Sequence, residues 1–240
     1  MSIFNCTHKK PAFAISQPCI LCGDSGQNNS CMCNACQQEL PFIENACVSC
    51  GLPLTPAETE AHCGACLSLP PPVEHCISLL HYHPPVDYLI KQMKYHNQLA
   101  IASLMGELMA KKITQQQTHI GSRPEQIIPV PLHINRLQQR GYNQAIEVGR
   151  RISKELGIPL NLNHCQRTKS TAPQFDLPAS ERAHNIKNAF EISPLLNARH
   201  VAIVDDVMTT GGTVWEITNT LIKAGVRRVD VWVCARATVD

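Results

Sequence analysis

Four C-x-x-C pairs follow one another near the start of the chain: Cys19/Cys22, Cys33/Cys36, Cys47/Cys50 and Cys63/Cys66. A two-residue spacer lets both thiolates of a tight turn face one tetrahedral ion, and two such turns complete a four-cysteine site. Ten residues separate Cys22 from Cys33 and twelve separate Cys50 from Cys63, which suits two successive zinc ribbons. Interleaved pairing, with the first and third pairs sharing an ion, satisfies the spacing as well. Cys31 is a rival to Cys33, and His62 a substitute for Cys63. A four-cysteine site leaves no open coordination position, so the expected metal is structural Zn2+, two ions per chain. Zinc binding, worth roughly 10–16 kcal/mol in small peptides, replaces the core that this stretch, short of long apolar runs, cannot build.

Eleven of the 13 cysteines precede residue 77. Residues 1–13 carry no apolar segment of a secretory signal, and no stretch nears the roughly 18 apolar residues needed to span a bilayer. A cytoplasmic protein is therefore expected, in a reducing compartment where thiols stay available to metal. Cys6, Cys76, Cys165 and Cys234 stand alone and read as small buried apolar residues. Pro70, Pro71 and Pro72 can neither continue a helix nor sit inside a sheet, and mark a stiff linker. The expected division is a double zinc-ribbon domain over residues 1–70 and a larger domain over residues 71–240, which is long enough to bury a sizeable core.

Beyond the linker the pattern changes. Residues 76–82 and 127–130 are strand-like. Residues 86–112 carry Leu89, Ile90, Met93, Leu104, Met105, Leu108 and Met109 at helical spacing, with a break near residues 96–98. Residues 144–156 read as a helix with Ile146, Ile152 and Leu156 inward and Gly157 as its C-terminal cap. Residues 201–204 form a continuous apolar run, residues 213–224 a helix with Val214, Ile217, Leu221 and Ile222 inward, and residues 229–234 the next strand. Strand, helix and strand at this spacing form a βαβ unit, so an open α/β fold with a mostly parallel sheet is expected.

The chemistry concentrates in VAIVDDVMTTGGT, residues 201–213. A buried strand delivers Asp205 and Asp206 at its carboxyl end, a small-residue loop follows, and a helix begins. In open α/β sheets ligands bind there. Gly211 and Gly212 let successive N–H groups converge on a phosphate, the helix dipole favours its charge, and Thr209, Thr210 and Thr213 add hydroxyls. Carboxylates repel phosphate, so the acids are expected to meet sugar hydroxyls or a Mg2+ ion. The combination describes a site for a phosphorylated ribose. Net charge is only +2, which does not by itself imply a nucleic-acid or membrane partner. Residues 123–154, however, carry six basic residues (Arg123, Arg136, Arg140, Arg150, Arg151 and Lys154) against Glu125 and Glu147, and an anionic ligand is expected near them.

The same segment resembles the signature that binds 5-phosphoribosyl-1-pyrophosphate (PRPP) in type I phosphoribosyltransferases. The serial cysteine pairs, the PVPLH and RGYNQ motifs within residues 129–144, and the PQFDL, ER and NAF motifs within residues 173–190 occur in the order of the ComF competence-protein family and its relative GntX. The resemblance implies an open, mostly parallel sheet of the type I phosphoribosyltransferase kind behind a small zinc-ribbon domain. It implies that Asp205 and Asp206 hold ribose hydroxyls directly or through Mg2+, and that Thr209, Thr210, Gly211, Gly212 and Thr213 hold the 5-phosphate. Pro131, Leu132 and His133 would face pyrophosphate, Arg136 and Arg140 would neutralise it, and Arg182 and Asn185 would lie in a hood over the site. Arginine suits bidentate phosphate recognition.

Purine-salvage relatives carry an acid where this chain has Thr209, so a purine acceptor is disfavoured by the resemblance and no acid/base group is assigned. An enzyme that displaces pyrophosphate from PRPP is the leading expectation, acting in natural transformation and DNA uptake. The alternatives are a protein that binds single-stranded DNA and a PRPP-sensing adaptor, both non-catalytic. Two weaker features remain. Lys91 and Lys94 share a helix face that reaches either an anion or solvent, and His81 and His83 share one side of a strand with no third ligand evident.

Overall fold

The protein is described by a computed structural model covering residues 18–25, 30–55, 61–120, 122–169 and 186–238. The chain divides into two compact units, Met1–Glu39 and Leu40–Asp240. Arg182 and Asn185 lie outside the described residues.

In the first unit a turn at residues 19–23 is closed by the Gly23 amide on the Cys19 carbonyl at 2.8 Å, and the Ile20 amide meets the Cys31 carbonyl at 2.9 Å. Helix α1 (Asn34–Gln38) starts at Cys33, whose sulfur accepts from the Cys36 amide. A short helix headed by a cysteine carries the second pair of this unit.

The second unit is built on a four-stranded parallel sheet in the order β1-β6-β5-β2, comprising β1 (His75–His81), β2 (Gln126–Pro129), β5 (His200–Met208) and β6 (Arg228–Arg236). β2 runs beside β5 from Gln126 opposite Val201 to Pro129 opposite Val204. β5 runs beside β6 as far as Met208 opposite Arg236. Valine-rich strands buried on both faces explain the parallel arrangement. Val201, Ile203, Val229, Val231 and Val233 pack with Val214, Ile217 and Leu221 of the last helix in one core. A separate antiparallel pair, β3 (Cys165–Arg167) and β4 (Phe190–Ile192), stands beside that helix.

The helices follow the expected order with three differences. The expected break falls between α3 (Val86–Tyr95) and α4 (Leu99–Ile120), where Asn97 takes a positive φ of 56°. An unexpected helix, α5 (Ile134–Arg140), opens on His133, whose Nδ1 accepts from the Asn135 amide at 3.3 Å. In α6 (Gln144–Leu156) the buried positions are Gln144, Ala145, Val148, Gly149 and Ile152; Ile146 and Leu156 are only partly covered. In α7 (Gly212–Lys223) the buried stripe is Val214, Ile217, Thr218 and Leu221, and Ile222 is 44% exposed. Positions i, i+3, i+4 and i+7 already fill one helix face, and residue 222 falls off it.

Residues 40–54 belong to this unit and cover the free edge of β1. The Ile43 amide donates to the Leu79 carbonyl at 3.0 Å, the His81 amide to Pro41 at 3.0 Å, and the Cys76 amide to Val48 at 2.7 Å. An exposed edge strand invites association with other chains, and here the cysteine-bearing segment closes it. At Gly51 (φ +64°) a Cβ would lie 2.1 Å from Ser78 Oγ and 2.8 Å from Cys76 Sγ, so the turn between Cys50 and Leu52 is seated directly on β1. Helix α2 (Gly64–Ser68) begins at Cys63 and supplies the remaining pair.

Candidate functional site

The cysteines settle into two clusters. The sulfurs of Cys19, Cys22, Cys33 and Cys36 lie within 4.8 Å of one another, as do those of Cys47, Cys50, Cys63 and Cys66. Pairing is therefore consecutive. Cys31 is buried outside its cluster, and His62 instead shares a hydrogen bond with Ser49 Oγ at 2.9 Å. The clusters fit zinc. Zn–S bonds of about 2.3 Å in a tetrahedron place sulfurs about 3.8 Å apart, and Cys22 to Cys33 and Cys50 to Cys63 each measure 3.7 Å. Four crowded thiols cannot all ionise without a cation. Burial raises the pKa of Cys47, but amides of Cys63, Cys50 and Ser49 outweigh it and bring the thiol down to about 6. Burial, helped by the neighbouring Cys47, pushes Cys50 up to about 11 against the pull of the Leu52 amide and the Cys66 thiol.

The second site lies at the carboxyl ends of the parallel strands. β5 remains hydrogen-bonded past both acids, with Asp205 opposite Val233, so the carboxylates sit on rigid strand. Successive residues face opposite sides of a sheet, and the Asp206 amide donates to Asp205 Oδ1 at 2.8 Å. Asp206 is 7% exposed and its Oδ1 is 3.1 Å from Lys94 Nζ, near the end of α3. Burial and the Asp206 charge push Asp205 up to about 7, against the pull of Lys94 and Arg167. Burial works to lower Lys94, but the charges of Asp206 and Asp205 win and raise it.

After Met208 the chain turns through Thr209, Thr210 and Gly211 into α7. Gly211 is the N-cap, with φ +82°, and a Cβ there would meet the Trp215 ring at 2.5 Å. A glycine cap offers no side chain to occupy the amides that open the helix, and their end of the dipole favours an anion.

Pro131, Leu132 and His133 follow β2 after Val130, and β2 lies next to β5. The Val130 amide donates to the Val204 carbonyl at 2.9 Å, one residue before Asp205. Asn143 holds this loop by donating to the Val130 carbonyl at 2.9 Å while its Oδ1 caps α6 on the Ala145 amide. Arg136 and Arg140 project from α5. Arg140 donates to Gln144 Oε1 at 3.1 Å and lies 5.5 Å over the Tyr95 ring. Burial and the charge of Arg140 lower Arg136 from its ordinary value.

Sequence reasoning missed Arg167 of β3. It lies 5.5 Å over the Phe190 ring, and burial and the charge of Arg136 lower its pKa while Asp205 holds it up. No signal in the three-residue strand distinguishes it. Its neighbourhood is a cleft of about 320 Å3, lined among others by Pro131, Leu132, Leu137, Leu162, Gln166 and Arg167. The Lys94 that the helix periodicity left between anion and solvent faces the acids. Lys91 is paired with Asp87 at 3.1 Å on the exposed side. The structure thus brings the acid pair, the phosphate-type loop, two lysine- and arginine-bearing helices and Arg167 to one end of the sheet. This constellation can hold a ligand that carries both hydroxyls and separated negative charges.

A family model of the double zinc ribbon domain matches residues 13–67. Competence protein F of Haemophilus influenzae is 38% identical over 210 residues, covering 86% of this chain and 90% of its own. The DNA utilization protein YhgH of Escherichia coli K12 is 35% identical over 206 residues, covering 85% and 90%. Among solved structures, adenine phosphoribosyltransferase of Leishmania tarentolae aligns with a TM-score of 0.39 and 13% identity, over 66% of this chain and 91% of that one. At such identity over nearly the whole of both chains, the protein belongs to the family of competence protein F and the DNA utilization protein YhgH.

Proposed function

We propose that the chain binds PRPP, or a ribose 5-phosphate relative, together with Mg2+, and transfers the ribosyl group to an acceptor in support of DNA uptake or utilization. The observation that carries this reading is the paired Asp205 and Asp206 on β5, continuous with the Gly211-capped start of α7. Thr209, Thr210, Gly211, Gly212 and Thr213 receive the 5-phosphate, and Asp205 and Asp206 hold the ribose hydroxyls. Pro131, Leu132 and His133 border the pyrophosphate, with Arg136 and Arg140 neutralising it. Functionally, residues 1–70 serve as the zinc module and residues 71–240 as the ligand-binding domain.

The donor set suits Mg2+, which takes one or two carboxylates plus substrate phosphate oxygens rather than an all-protein cage. Asp205 and Asp206 would hold the ion, and because Asp206 already carries Lys94 at 3.1 Å they would leave room for phosphate oxygens of the ligand. When bound, Mg2+ neutralises charge on the departing pyrophosphate. In the transfer, the bond between ribose C1 and the pyrophosphate oxygen breaks and its electron pair leaves with pyrophosphate, while the acceptor's lone pair forms the new bond to C1. Positive charge grows on the ring beside Asp205 and Asp206, and negative charge grows beside Arg136 and Arg140, where fixed partners stabilise it. The cleft lined by Leu132, Leu162 and Gln166 leaves room for the acceptor. By the resemblance to type I phosphoribosyltransferases, Thr209 replaces the acid of purine-salvage relatives, which favours an acceptor that needs no such acid.

Release of pyrophosphate from PRPP in the presence of Mg2+, across candidate bases and amines, tests transfer. Binding without release with any acceptor would reduce the reading to a PRPP sensor. A second reading rests on a separate observation: Tyr95 is 67% exposed with Arg140 over its ring, and Tyr88 is 45% exposed two turns earlier on α3. Exposed aromatics beside arginine suit stacked bases of single-stranded DNA, and affinity that falls steeply with salt is its signature. A cytoplasmic setting fits both readings, since four-cysteine zinc sites persist where thiols stay reduced. No described helix is long and apolar enough to cross a membrane.

A further inference from the structure

Arg236, the last residue of β6, is 6% exposed. Its Nε donates to the carbonyl of Cys50 at 3.0 Å. Its Nη1 donates to the carbonyls of Met208 at 3.3 Å, Ala237 at 2.6 Å, and Thr209. One buried guanidinium therefore joins the turn that carries a thiolate of the second cysteine cluster to the start of the loop between β5 and α7. A buried cation is costly unless it is surrounded by acceptors or negative charge. Among the described residues no carboxylate forms an ion pair with Arg236. Its compensation comes from four carbonyls and from the cluster, since four thiolates around a divalent ion retain net negative charge.

We propose that Arg236 is a positioning residue through which the second zinc site sets the shape of the phosphate loop. In a trans peptide the carbonyl and the following N–H point to opposite sides, so a Thr209 carbonyl turned onto Arg236 directs the Thr210 N–H away from it. On the other side the Cys50 carbonyl is fixed because Gly51 is wedged against Ser78 and Cys76 of β1 and because Cys50 Sγ belongs to the cluster. With the ion gone, four sulfurs within 4.8 Å lose the charge that holds them together, the turn relaxes, and Arg236 loses its anchor. Coupling of this kind is reciprocal: if zinc favours phosphate binding, phosphate favours zinc retention by the same factor.

This inference rests on the reading that the loop binds phosphate, and the test separates the two. In the full-length zinc-loaded protein, zinc release to a chromogenic chelator is followed with and without ribose 5-phosphate. Amide hydrogen exchange at residues 209–213 is followed without any ligand. The expected result is that ribose 5-phosphate slows loss of one of two zinc ions by at least about fivefold. Arg236→Lys removes that protection and speeds exchange in the loop, although both ions are bound. Cys36→Ser empties the first cluster and leaves loop exchange unchanged. Loop exchange that does not respond to loss of the second ion in the unaltered chain overturns the inference even if Arg236→Lys fails to fold. Loop exchange that responds to zinc and to Arg236→Lys, with no effect of ribose 5-phosphate, upholds the positioning role and overturns the phosphate reading instead.

Discussion

Lys94 Nζ and Asp206 Oδ1 stand 3.1 Å apart with both side chains largely covered, so the acid pair at the end of β5 is partly neutralised by α3 before any ligand arrives. Removing one partner of a buried pair leaves the other uncompensated. Lys94→Met is expected to cost roughly 3 kcal/mol in denaturant unfolding. Lys94→Met combined with Asp206→Asn is expected to cost less than the sum of the two single changes. Additive losses would show that the two groups act independently.

Asp205 gives a pH signature. Burial and the Asp206 charge raise its carboxyl from 3.8 to about 7, so the folded free protein holds that proton more tightly than the unfolded chain. The stability this contributes is present below 3.8 and drains away as pH rises through about 7. Asp205→Asn stays neutral throughout. Its stability relative to the unaltered chain should therefore improve across that window, by at most roughly 4 kcal/mol. Denaturant unfolding at several pH values reads the difference directly, and a difference that is flat with pH would contradict the upward shift of this carboxyl.

Gly211 is constrained twice, by its φ of +82° and by the Trp215 ring at 2.5 Å from a would-be Cβ. Gly211→Ala is expected to lower stability by roughly 2–3 kcal/mol and to abolish phosphate-ligand binding. Trp215→Leu in the same chain should restore part of the stability, because it relieves the clash but not the backbone strain. Full recovery would mean that the positive φ has no cost here.

Elemental analysis should find close to two zinc ions per chain, and Cys63→Ser should remove one of them. The first cluster shares no cysteine with the second and should keep its ion in that variant. Protein purified without chelator that holds almost no zinc would remove the metal reading altogether.

The acids and the glycine loop were legible because they are contiguous: an apolar run, two carboxylates, small residues and a helix can be read along one line. The consecutive grouping of cysteines was not, since spacing alone allows interleaving and only the gathering of the sulfurs into two sets, each within 4.8 Å, decides it. Arg167 and Arg236 come from strands remote in sequence, and each reaches the site only because the chain folds back on itself. For Arg236 a faint signal existed, an arginine closing the otherwise apolar VWVCA run, where an uncompensated charge would not be tolerated. Placing Ile222 inward failed because Thr218, polar in sequence, satisfies its hydroxyl on the Val214 carbonyl at 2.8 Å and takes the buried position. Helix α5 was missed because its cap is a histidine and none of its residues is buried.

The central claim is that Asp205 and Asp206 hold the ribose of a phosphoribosyl ligand. Calorimetric titration of the zinc-loaded protein with PRPP and Mg2+, set beside the same titration of the Asp205→Asn, Asp206→Asn double variant, tests it most directly. The account predicts binding by the unaltered chain and a loss of at least about a hundredfold in a variant that remains folded, equivalent to roughly 2.7 kcal/mol. Equal affinity in the two proteins, or no binding by the unaltered chain, would contradict it.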